Sequence, residues 1–163
     1  MRLGAMVLAG AAAAALVGGS LPANAQTPPP VPATGAVMGP ALFVSDVKRS
    51  LHFYVDGLGM RLATELGPPQ RHETILNFGD PGGAALILLS DGTAKTPAAI
   101  DHGHGYDRTV LQIENLAATA ARLSAAGFTP TPIRSGGVSG YQVMVITDPD
   151  GYKLELVQSP PRP

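Results

Sequence analysis

The sequence has no cysteine and no tryptophan, and only 14% of its 163 residues are charged. Without cysteine there are no disulfides, thiolate metal sites or cysteine nucleophiles. Neither charge sign dominates, since 11 Lys and Arg stand against 12 Asp and Glu. A nucleic-acid binder would carry a basic excess, so no nucleic-acid partner is expected. No G-x-S-x-G elbow supports serine hydrolase chemistry. Gly136-Gly137-Val138-Ser139-Gly140 is glycine-rich, but no lysine follows and no helix starts there, so it is not a phosphate loop. The length allows one ordinary domain or two very small ones. A hydrophobic content of 45% argues against full disorder.

The apolar residues are unevenly spread. After Arg2, Leu3 to Val17 run without a polar side chain, and the segment ends in Ala23-Asn24-Ala25. A basic start, an apolar stretch and an A-x-A end describe a signal peptide over residues 1–25. The apolar stretch is short against the ~20 residues that span a bilayer. The expectation is export, to the periplasm or the medium, with no membrane contact after cleavage. Residues 26–36 hold Pro28, Pro29, Pro30 and Pro32 and read as an extended linker. The folded domain is expected over 37–158, with a tail at 159–163.

Within that domain one unit is written twice. Val37 to Ser45 read as a strand, with Leu42 and Val44 on one face and Ala41 and Phe43 on the other. Ser45 or Asp46 can cap a helix carrying Val47, Leu51, Tyr54 and Leu58 at helical spacing. Strands over Met60–Leu66, Arg71–Phe78 and Ala84–Ser90 follow. The second half repeats the order. It has a strand at Arg108–Ile113, a helix capped by Glu114 or Asn115 with Leu116, Ala120 and Leu123 on its face, and strands at Thr129–Ile133, Tyr141–Thr147 and Tyr152–Gln158. A shift of 68 places Asp80-Pro81-Gly82-Gly83 on Asp148-Pro149-Asp150-Gly151, and a shift of 69 fits the first strands and helices better. The predicted class is α+β, with two βαβββ modules at about 37–90 and 106–158.

Two motifs carry a family resemblance. Val44-Ser45-Asp46-Val47-Lys48-Arg49-Ser50, then Phe53-Tyr54 and Leu58-Gly59-Met60, resemble the opening of the vicinal oxygen chelate superfamily. Asp148-Pro149-Asp150-Gly151-Tyr152-Lys153-Leu154-Glu155-Leu156 resembles its closing turn and last strand. That superfamily includes glyoxalase I, extradiol dioxygenases, and bleomycin and fosfomycin resistance proteins. The resemblance implies a curled mixed sheet around a shared cavity. In metal-dependent members it also implies a divalent ion held by side chains on the first and last strand of each module. Such an ion polarises substrate oxygens.

Carried over residue by residue, the four implied ligand positions fall on Gly39, Ile87, Arg108 and Glu155. Glycine and isoleucine have no donor, and a guanidinium repels a cation. Glu155 alone can ligate. Arg108 is expected to pair with Glu155 or to receive an anionic ligand group. The remaining candidates for a metal are the histidines of Asp101-His102-Gly103-His104-Gly105, with His104 four residues before Arg108, in what reads as an exposed linker. His72 opens a strand and can line the pocket with Thr74, Leu76 and Phe78. His52 reads as surface.

Three roles follow. The first is a small-molecule binder of bleomycin-resistance type without a metal or other cofactor. Its expected ligand-binding residues are Phe43, His72, Ile87, Arg108, Val110, Tyr141, Met144 and Glu155. The second is a metal-dependent lyase or dioxygenase of glyoxalase type. It would hold zinc, nickel, manganese or iron through Glu155 and His104, with Glu155 as the catalytic residue. The third is an interaction role, since members of this family pair as homodimers.

Overall fold

The computed structural model describes residues 35–94, 96 and 99–161. The signal segment, nearly all of the proline linker and the last two residues lie outside them. From Ala36 onward the described residues fall in one compact unit. Among the described residues no helix is long and apolar enough to cross a membrane.

The first module contains β1 (Ala41–Phe43), α1 (Val47–Leu51), β2 (Arg61–Leu66), β3 (His72–Asn77) and β4 (Leu86–Ser90). The second contains β5 (Thr109–Gln112), α2 (Leu116–Ala125), β6 (Arg134–Ser135), β7 (Gln142–Thr147) and β8 (Lys153–Gln158). The strands form two open four-stranded sheets, ordered β1-β4-β3-β2 and β5-β8-β7-β6. In each, the first strand runs parallel to the last and the other pairs are antiparallel. The expected α+β pair of βαβββ modules is therefore present.

Asp46 caps α1 by accepting the Arg49 N–H at 3.1 Å. The helix widens into a π-turn over His52–Gly57, marked by the Leu58 N–H donating to the Phe53 carbonyl at 2.9 Å. The extra residue in that turn brings Phe53 and Tyr54 inward together, and both are fully buried. Asn115 caps α2 by accepting the Ala118 N–H at 2.9 Å, and α2 buries Leu116, Thr119 and Leu123. Phe128 meets Phe53 edge to face at 4.9 Å, so the two helices share one core.

Two expected strands depart from the apolar pattern, one shortened and one absent. The strand expected over 37–45 is β1 alone, because Gly39 sits at φ +137° and Pro40 has no N–H. The strand expected over 129–133 does not form. Pro130 and Pro132 cannot donate, and only the Thr131 N–H reaches β7, at the Val145 carbonyl. Pairing resumes at Arg134 and Ser135.

Candidate functional site

The helices cover one face of each sheet and leave the other open. On β8, Leu154 and Leu156 are fully buried against the helices, while Lys153, Glu155 and Val157 point the opposite way. Glu155 is flanked in register by Val110 of β5 and Val145 of β7. The first module repeats this pattern, with Ile87 flanked by Ala41 and Ile75. The pairs Ala41–Ile87 and Val110–Glu155 are thus counterparts, 69 and 68 residues apart. Gly39 and Arg108 each lie two residues before the first member of the pair.

Arg108 donates from Nε to the Glu155 carboxylate and from Nη1 to Asp107. Its side chain is 45% exposed and that of Glu155 is 22% exposed. The bonds to Glu155 and Asp107 raise the guanidinium above its ordinary range, so the side chain stays charged. One cation therefore stands among two carboxylates. This geometry leaves little attraction for a free anion.

The residues present do not fit a metal ion. A Cβ built at Gly39 would stand 1.7 Å from the Ala85 carbonyl oxygen, so no ligating side chain can occupy that position on this backbone. Ile87 has no donor atom, and Arg108 already occupies Glu155. Among the described residues no group of three or more His, Asp, Glu or Cys side chains could hold an ion. His104 is exposed and makes no hydrogen bond to the described residues.

Between β5 and the segments leading into β1 and β4 lies a cleft of about 530 Å³. Gly39, Met60, Phe78, Leu86, Val110 and Leu111 supply much of its wall. Thr109 and Gln112 add polar groups, and Asp80 stands at its edge. Val110 is 58% exposed, which suits it to contact a ligand.

Several expected pocket residues are placed elsewhere. Met144 is fully buried and lies opposite Leu156, on the core face. Four consecutive apolar residues, Val143 to Ile146, hid which side it would take. His72 shares a face with Thr74 and Leu76, which are fully buried in the core, and its ring reaches Glu65 at 3.4 Å. It lies across the sheet from Ile87. Phe43 is exposed on the open face with the Arg71 guanidinium over its ring, 5.8 Å from the centroid. Tyr141 is half-buried at the foot of the 136–140 loop, where its carbonyl accepts the Gly136 N–H at 2.8 Å.

The histidine-containing loop is not a free linker. His102 bonds through Nε2 to the Asp150 carbonyl at 2.9 Å and packs edge to face on Tyr152 at 4.4 Å. Asp148 and Asp150 also do more than turn the chain. Asp148, 5% exposed, accepts the Tyr54 hydroxyl at 2.8 Å and the Asp150 and Tyr152 N–H groups. Burial raises its carboxyl above the ordinary range even though those bonds pull it down. Asp150 accepts the Ser45 N–H at 3.1 Å and Arg49 Nη2 at 2.8 Å. Both carboxylates join the second module's last turn to the first module, Asp150 at the start of α1 and Asp148 at the π-turn that follows it.

Comparison with known proteins gives four matches. Residues 36–156 match the model of the Glyoxalase/Bleomycin resistance protein/Dioxygenase superfamily. The lactoylglutathione lyase of Haemophilus influenzae is 32% identical over 122 residues, covering 72% of this chain and 88% of that one. Among solved structures, SMU.1112c superposes with a TM-score of 0.62 at 28% identity, covering 76% of this chain and 98% of its own. The trypanothione-dependent glyoxalase I of Leishmania major superposes with a TM-score of 0.61 at 23% identity, covering 77% and 87%.

Proposed function

The chain belongs to the glyoxalase/bleomycin resistance protein/dioxygenase superfamily, and on that premise we propose that it is an exported small-molecule binder that works without the metal ion of the family's lyases. The ligand occupies the cleft between the two modules, against Val110, Phe78 and Met60. The observation that carries this reading is the replacement of the implied ligand set. Gly39 has no room for a side chain, Ile87 has no donor, and Arg108 engages Glu155. The apolar walls of the cleft favour an apolar or aromatic ligand body, with Thr109 and Gln112 available to orient it.

The N-terminal segment supports export to the periplasm or the medium, with residues 1–25 removed. Exposed Phe43, Leu66 and Val110 support pairing of two copies as a homodimer. Light scattering on the purified protein tests that part.

A second reading is kept because of the relatives. The Haemophilus influenzae protein is named a lactoylglutathione lyase, and the same chemistry here would need Glu155 with a non-standard ligand such as His104. Elemental analysis of the protein purified without chelators separates the two. Substoichiometric zinc, nickel, manganese and iron, together with thermal stabilisation by small aromatic ligands, is the expected result. One bound ion per chain, lost on Glu155→Gln, would overturn the metal-free reading.

A further inference from the structure

The two modules meet along two seams that should be alike and are not. Asp46 and Asn115 cap their helices with nearly the same backbone, φ and ψ being −147° and 106° against −141° and 97°. The caps are 69 residues apart, and the turns at Asp80 and Asp148 are 68 apart, so the seams can be matched residue by residue.

At the first seam, the start of α1 meets the last turn of the second module, and Asp150 closes the gap. Its carboxylate is 3% exposed and accepts the Ser45 N–H, the Ser45 hydroxyl and Arg49 Nη2. The second seam is the counterpart pairing of the start of α2 with the last turn of the first module, and Phe78, just before that turn, lines one cleft with Glu114, Asn115 and Ala118. Glu114 stands there in place of Ser45, Ala118 in place of Arg49 and Gly82 in place of Asp150. Both charges that close the first seam are missing. Among the described residues no hydrogen bond joins 112–118 to 78–83. A cleft of about 430 Å³ takes the place of the latch.

The cleft is equipped to hold a ligand. Arg122 lines it, with Nε donating to the Gly57 carbonyl at 3.2 Å and Nη2 to the Thr119 hydroxyl at 3.4 Å. The guanidinium plane is thereby held, while Nη1 makes no hydrogen bond to the described residues. Gly59, at φ +82°, makes room for it, since a Cβ there would stand 2.9 Å from Arg122 Cζ and Nη1. A held guanidinium with an unused N–H edge suits a carboxylate. Phe78, 44% exposed, offers a ring face to a flat apolar body. Glu114, also lining the cleft, would repel a second anionic group and accept a hydrogen bond from a donor.

We propose that this second seam is a binding site for an aromatic monocarboxylate bearing a hydroxyl or amino donor away from its carboxylate. It is centred on Arg122, apart from the Arg108–Glu155 pair, and shares only Phe78 and Gln112 with the wall of the 530 Å³ cleft.

The test titrates 4-hydroxybenzoate into the purified protein, followed by calorimetry and amide chemical shifts. Saturable binding with shifts at Gly59, Ala118 and Thr119, which line this cleft and not the larger one, is expected. Arg122→Gln should weaken it at least tenfold, and Arg122→Lys should weaken it less. The double variant Gly82→Asp with Ala118→Arg copies the first latch into the second seam and should abolish binding while keeping the thermal midpoint. There is space for it, because a Cβ at Gly82 meets nothing nearer than Asp80 Oδ1 at 3.8 Å. Absence of saturable binding overturns the proposal. So does binding that Arg122→Gln and the latch variant both leave unchanged, or shifts confined to Val110 and Glu155.

Discussion

The Tyr54 hydroxyl donates to the buried Asp148 carboxylate at 2.8 Å, tying the first helix of one module to the last turn of the other. This bond sits inside the shared core, beside Asp150 and its bonds to Ser45 and Arg49. The contact between modules is therefore polar at its centre and apolar around it.

Removing the hydroxyl should loosen that joint. Tyr54→Phe keeps the ring and deletes one donor to a buried carboxylate, so it should cost about 1–3 kcal/mol in urea unfolding. Asp148→Ala should cost more, because it strands three donors: the Tyr54 hydroxyl and the Asp150 and Tyr152 N–H groups. Asp148→Asn keeps an acceptor for the two backbone groups and should fall between wild type and Asp148→Ala.

The same pair sets two pH effects of known sign. Asp148 is raised above its ordinary 3.8, first by burial. As pH falls through the raised value, the native state takes up a proton before the unfolded chain does. The Asp148 contribution therefore makes stability rise down to about that ordinary value, then level off. Tyr54 is raised above its ordinary 10.0, first by burial and then by the Asp148 charge. The unfolded chain loses that proton first, so stability should fall as pH rises past this ordinary value. Urea midpoints across both ranges check the signs. Asp148→Asn should remove the acidic arm, and Tyr54→Phe the alkaline one.

Gly39→Ala should be strongly destabilising. Its Cβ would fall 1.7 Å from the Ala85 carbonyl oxygen, and the φ of +137° is one that only glycine adopts freely. A loss of about 2 kcal/mol or more is expected in thermal unfolding. Gly105→Ala, which meets nothing within 4 Å and has no positive φ, is the control and should change little.

Glu155→Gln should leave the thermal midpoint almost unchanged, because its pair with Arg108 is partly exposed and such pairs add little. It should change ligand binding instead, since it frees one edge of the guanidinium toward the open face. A gain in affinity for carboxylate ligands over the wild type, measured by calorimetry, is the expected sign.

Much of the candidate site could be read along the chain. Strict alternation in β8, with leucines at 154 and 156, placed Glu155 opposite the helices because a strand's period is two. The overlay of the two halves located Ile87 as its counterpart, the family resemblance pointed to Gly39 and Arg108 on the first strands, and the strand register agrees with the overlay. Alternation failed at Met144, where apolar residues fill both faces of β7 and only its pairing with Leu156 selects the core side. It also failed at His72, because Thr74 looks polar in sequence yet is fully buried in the core.

By itself the sequence determined the class of fold and the double βαβββ order, which rest on local periodicity. The family resemblance marked the positions implied for metal ligands, and side-chain chemistry shows that Gly39, Ile87 and Arg108 offer no ligand there. The tertiary structure alone decided that Arg108 spends its donors on Glu155 and Asp107, that His102 is docked on the Asp150 turn, and that one seam is latched while the other stays open. Apart from the neighbouring Asp107, those are contacts between residues 47 to 105 positions apart, or between a turn and a helix of different modules. Their geometry arises only when the two modules pack, because chain spacing carries no record of which distant groups meet.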